Sequence, residues 1–258
     1  VKIRVWTSLA RGVILESVRR KDLWVVAILG FLILISSSAL GFFGMNGLQA
    51  FVKDLAGTVL GVFSAIIGIL TSARMLPEEF KNRTLYPLLA RPISRFDLIM
   101  GKWLGAVCVT VLSFLILCSL TALALLLFHV QFEAIMAQYV VGKILGLAVL
   151  CAVTLALSLY MTPSAAATIS FVLAFGTSVI SRGFAMAYDA SGAGMRGVFE
   201  GINAILPHYS LFDFGSRAAN LNWGPVPTWV IGALAIYAII YSAAMLLISW
   251  LKFRTRPL

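Results

Sequence analysis

Few residues of this 258-residue chain have types and spacings that could carry out a reaction. His129 and His208 stand apart from any Cys/His cluster and from an HExxH arrangement, so neither has the neighbours that hold a zinc ion or relay a proton. Each reads instead as a polar residue at a membrane interface. Glu78 and Glu79 are adjacent carboxylates, but neighbours on a helix diverge by about 100°, which keeps such a pair from acting as acid and base on one bond. Gly101-Lys102 matches the close of a phosphate-binding loop, yet the upstream glycine and the following Ser or Thr are missing, so that motif gives no route to nucleotide hydrolysis. No Gly-x-Ser-x-Gly surrounds a serine. Cys108, Cys118 and Cys151 lie inside apolar runs without metal-ligand spacing and read as small buried hydrophobes. No catalytic set, metal ion or cofactor is expected.

The elements that would position any site are membrane helices. The chain is 61% hydrophobic and 12% charged, against about 45–50% and 25% for soluble domains, and its mean hydropathy is +0.99. Its apolar residues gather at 23–44, 55–76, 103–128, 140–161, 163–181 and 229–251. Runs of this kind are near the ~20 residues that cross about 30 Å of hydrocarbon. They lack the alternation of barrel strands. The expected fold is all-α: one polytopic helical bundle over residues 1–258, with six transmembrane helices, the first of them serving as the insertion signal.

The net charge of +10 comes from twenty basic and ten acidic residues. On a chain this apolar it points to membrane orientation and anionic headgroups, not to nucleic acid. Fifteen of the basic residues fall in the N-terminal segment, the second-to-third connection and the tail. That bias places both termini in the cytoplasm. Three segments do not span. Residues 1–22 carry Val5, Leu9 and Val13 at four-residue spacing beside Trp6, which suits a helix in the inner interface, or a basic flank that only sets topology. Residues 77–102 are the most polar stretch. Residues 182–228 form a charge-balanced, aromatic-rich external segment, expected to hold short, partly re-entrant helices broken at Pro207. Phe212 and Phe214, with Pro207, are candidates for an external gate; the plainer reading makes the aromatic residues interfacial anchors. Gly57, Gly61 and Ala65, Gly101 and Gly105, and Gly142 and Gly146 recur at four-residue spacing and predict close packing, within the chain or between two copies.

From Glu78 to Arg95 the sequence carries an acidic residue, a Thr-Leu, a Leu-Leu pair and Pro-Ile-Ser-Arg, followed by Gly101-Lys102. This stretch resembles the signature of ATP-binding-cassette type-2 permeases. Glu16-x-x-Arg19 before the first span and Leu211-Phe212-Asp213-Phe214 before the last extend the likeness, while Arg83 stands where many members have glycine. The resemblance implies a cytoplasmic coupling helix that docks on a separate ATPase chain, with Glu78, Glu79, Arg83, Leu85, Leu88, Arg91 and Arg95 as the coupling residues. It implies the permease subunit of an exporter in the inner membrane, working as a dimer with an identical or sister chain. The alternative is a non-transporting scaffold or anchor in a larger assembly. On either reading the chain is not itself an enzyme, and its partners are proteins and membrane lipids.

Overall fold

The computed structural model describes residues 2–19, 28, 48–81, 94–127, 134–190, 193–215 and 226–255, and every regular element among them is helical. The helices are α1 (Lys2–Arg19), α2 (Leu48–Lys81), α3 (Arg95–Leu127), α4 (Ala134–Tyr160), α5 (Pro163–Ala190), α6 (Ala193–Ile205) and α7 (Thr228–Thr255), with a 3₁₀ turn at Tyr209–Phe212. Among the described residues, four stretches are long and apolar enough to cross a membrane: Gly57–Lys81, Arg95–Leu123, Ile135–Tyr160 and Thr228–Arg254. They match the second, third, fourth and sixth expected spans. The fifth coincides with α5, whose described apolar part, Pro163–Thr177, is shorter. The expected first span, Ile28 apart, lies outside the described residues.

Two boundaries differ from the sequence reading. α2 does not end where the apolar run ends; it continues through Pro77 to Lys81. Pro77 forfeits one bond to the preceding turn, a loss that bundled membrane helices tolerate. α5 likewise continues past 181 to Ala190. Helix starts follow local chemistry. Ser94 caps α3, its Oγ accepting from the Asp97 N–H at 3.1 Å and donating to the Asp97 carboxylate at 2.5 Å. Thr162 and Pro163 open α5 as cap and first helical residue, so only Met161 and Thr162 separate it from α4.

α4 is the centre of the bundle. Val149 through Ala156 are all buried, which over two helical turns requires neighbours on every side. α2, α3, α5, α7 and the 3₁₀ turn supply them. Contacts fix the directions. Gly57, Gly61 and Gly68 of α2 meet Tyr139, Lys143 and Cys151 of α4 in the same order, so these two run parallel. Glu79 meets Lys102, and Gly68 meets Thr110, so α2 and α3 are antiparallel. Hydroxyls inside the spans bond back to their own helices, as Ser64, Ser113, Thr154 and Ser249 do to carbonyls four residues earlier. Outward faces stay apolar: Ile239 and Ile240 of α7 are 68% and 64% exposed. Such residues need lipid or protein around them.

The expected N-terminal helix is present as α1, and its apolar stripe packs on protein. Leu9 lies over Gly101 and Val13 over Gly105; a Cβ on either glycine would come within 2.7 Å of the side chain above it. α1 therefore runs alongside the first turns of α3 and in the same direction. For Gly105 the obstruction includes the α1 backbone at Ala10, 3.2 Å away, so a larger residue must lift the helix. Gly105→Leu is expected to lower stability by about 1–3 kcal/mol, read as an earlier thermal unfolding midpoint in detergent. Gly232→Ala, which meets nothing within 4 Å, should leave the midpoint unchanged or slightly raised. Equal effects of the two would refute the seat.

Candidate functional site

The two ends of the bundle differ. One gathers the ends of α1, α2, α3 and α7 with Arg4, Arg11, Lys81, Arg95, Lys102, Lys252 and Arg254; it is called the basic end below. Of the residues expected to couple, Glu78, Glu79 and Arg95 are described, whereas Arg83, Leu85, Leu88 and Arg91 lie outside the described residues. The structure places Glu78 and Glu79 in the last turn of α2, not in a separate helix. Glu79 turns toward α3 and pairs with Lys102, the two side chains only 16% and 7% exposed. Arg95 points along α3 to the end of α7, where its Nη1 donates to the carbonyls of Phe253 and Arg254 at 3.0 and 2.9 Å. Those carbonyls belong to a helix C-terminus and lack partners within the helix, so a guanidinium suits them in both hydrogen bonding and charge. The arginine also lies 5.7 Å from the centre of the Phe253 ring.

The first turns of α3 thus hold α1, α2, α4 and α7. Trp6 of α1 donates to Asp97 at 2.8 Å, Gly101 seats Leu9, Lys102 pairs with Glu79, and Trp103 donates to the Ala148 carbonyl of α4 at 3.1 Å. Phe80 packs on Phe253, ring centres 5.8 Å apart, closing the link between α2 and α7. Sequence reasoning singled out Gly101-Lys102 as part of a motif and Trp6 as interfacial, but missed Asp97. Its signal was Ser94-x-x-Asp97, a capping pattern with one carboxylate oxygen left over.

The opposite end carries the three gate candidates. α6 stops at Ile205, two residues before Pro207, and the chain then tightens into the 3₁₀ turn. Pro207 and Phe212 are buried. Phe212 lies on Gly146, and Phe214 with the Phe212 carbonyl lies on Gly142, where a Cβ would come within 2.9 Å of either. Phe212 also meets Tyr237 of α7, ring centres 5.9 Å apart. The structure brings Phe212 and Phe214 onto the face of α4, and Pro207 is buried just ahead of the turn that carries Phe212. Lys143, one residue from Gly142, donates to Asp213 at 3.2 Å, and Tyr139 donates to the Gly57 carbonyl at 2.7 Å. Gln138 grips the entry to α7 with both ends of its amide, accepting from the Val226 N–H and donating to its carbonyl, each at 2.8 Å. The sequence reading treated Lys143 as a snorkelling cation and passed over Gln138; neither partner is close in sequence. Among the described residues no group of His, Cys, Asp and Glu is arranged to hold a metal ion.

Removing one member of the Glu79–Lys102 pair by Glu79→Gln strands the Lys102 ammonium in a buried position, at an expected cost of about 3–5 kcal/mol. Adding Lys102→Met should recover most of that loss. Thermal unfolding of both variants in detergent checks it; a double variant no better than the single would show that the two charges are not coupled.

The family described as ABC-2 family transporter protein matches residues 17–189, well over half of the chain. No curated protein matches it. The matched region takes in the braced turns of α2 and α3 and the whole central helix. A multi-pass helical bundle whose α2 and α3 flank the signature residues, this chain belongs to the ABC-2 transporter family.

Proposed function

We propose that the chain is the membrane-spanning permease subunit of an ATP-driven exporter: six spans in the inner membrane, both termini cytoplasmic, paired with a second permease chain and driven by separate ATPase chains. Family membership supports a permease. The observation that carries the coupling is the bracing of the basic end. The connection 82–93 leaves α2 just after Glu79 and enters α3 just before Arg95, and those two residues tie α2 to α3 and α3 to α7. A displacement of the connection would therefore reach three helices as one body, the rigid-body kind of transmission that packed helices favour over bending.

On this reading Arg83, Leu85, Leu88 and Arg91 meet the ATPase, and Glu79 and Arg95 pass its movement on. Glu78 accompanies them at the end of α2. The seated turn with Pro207, Phe212 and Phe214 closes the path at the external end. The chain itself hydrolyses no nucleotide, because it has no phosphate-binding loop.

Expressed with the ABC ATPase of a neighbouring gene, the permease should copurify with it in mild detergent, and ATP hydrolysis should require the ATPase chain. Arg83→Glu with Arg91→Glu should abolish copurification without reducing membrane insertion. Undiminished copurification of the double variant would remove the connection as the docking element.

A further inference from the structure

Between α2, α4 and α5, against the 3₁₀ turn, lies a cavity of about 420 Å³, within the roughly 300–1,000 Å³ of small-molecule sites. Its lining is graded along the helices. Thr58, Lys143, Ser210 and Asp213 stand at the level of the turn, while Ala65, Leu147 and Leu150 line it one to two helical turns further toward the basic end. Lys143 lies eight residues, about 12 Å at 1.5 Å per residue, into the crossing stretch that begins at Ile135. A charge at that depth is costly and marks a site that uses it.

The two charges of the cavity are held differently. The Lys143 ammonium rests on Gly61, where a Cβ would come within 2.7 Å of Nζ. It also lies 5.9 Å from the centre of the Tyr139 ring, and its side chain is 16% exposed. Asp213 is 51% exposed; its Oδ2 accepts from Lys143, and its Oδ1 accepts from the Gly215 N–H at 3.0 Å. A fixed cation and a half-open anion therefore stand side by side at one end of a mainly apolar sleeve, whose lining also includes Thr177 and Tyr209. A purely anionic ligand on Lys143 would be repelled by the adjacent Asp213, and a purely cationic one on Asp213 would be repelled by Lys143. A head carrying both charges satisfies both residues, its anion on Lys143 and its ammonium on Asp213, while an attached chain covers the apolar walls.

We propose that this cavity binds a zwitterionic lipid, with phosphate and ammonium in its head and one acyl chain laid along Leu147 and Leu150. The site goes beyond the transport reading and does not depend on ATPase docking. Lysophosphatidylethanolamine, lysophosphatidylglycerol and free phosphoethanolamine, added to the purified full chain and followed by native mass spectrometry, test it. Lysophosphatidylethanolamine should bind at least about tenfold more tightly than lysophosphatidylglycerol, the worth of one charge-assisted hydrogen bond, and free phosphoethanolamine should not bind. Lys143→Gln and Asp213→Asn should each bring the lysolipid ratio toward one, and Ala174→Phe, which fills the sleeve, should weaken both lysolipids. Should Lys143→Gln fail to fold, Asp213→Asn, on a half-exposed side chain, carries the charge test alone. Equal affinities of the two lysolipids for the unaltered protein, or a ratio that Asp213→Asn does not move, overturns the proposal. Phosphoethanolamine binding as tightly as its lysolipid also overturns it, in favour of a soluble zwitterion.

Discussion

An ammonium held close to hydrocarbon costs several kcal/mol unless an anion meets it inside the protein, and that requirement organises the basic end of this bundle. Lys102 meets Glu79, which fixes the end of α2 against α3. With that distance set, the neighbouring turns of α3 can be specific about their other partners. Asp97 spends one oxygen on its own helix cap and the other on Trp6, and Arg95 reaches the terminal carbonyls of α7. Four helices are located by about nine residues of one helix. Loosening the first ion pair would let the remaining contacts shift together.

The same economy appears at the other end with a different material. α4 has helices on several sides, so a turn that also packs on it needs room, and Gly142 and Gly146 provide it. The 3₁₀ turn settles into that notch through Phe212 and Phe214, while α1 uses Gly101 and Gly105 of α3 in the same way. Small residues four apart serve here as seats for a turn and for a peripheral helix. In both cases the partner comes from the same chain, which resolves the choice between internal packing and packing of two copies for these two pairs.

Much of this architecture was legible in the sequence because hydropathy alone marks helices in a membrane. The second to fourth and the last apolar runs became crossing helices, and the signature from Glu78 to Lys102 named the region where the braces lie. Helix ends were less legible. Backbone hydrogen bonding carries α2 through Pro77 and α5 to Ala190 after the apolar run has finished, since in a helix that bonding does not depend on side-chain polarity. Partners were the least legible. Glu79 with Lys102 and Lys143 with Asp213 are separated by 23 and 70 residues, and nothing in the local pattern says which opposite charge the packing will deliver. Glu79 stood out through the family resemblance alone, and only the fold shows that it faces Lys102 of α3.

Two residues, Met161 and Thr162, are all that lie between the central helix of the bundle and α5. So short a connection carries no charge and has no freedom to wander. α4 and α5 are therefore tethered as a hairpin, and neither can slide along the other by more than two residues allow. The hydroxyls of Thr154 and Ser158 on the approach to that connection are bonded to their own helix and need no partner from another. Any shift of the central helix along its own axis is thus shared by α5, whatever the other neighbours do.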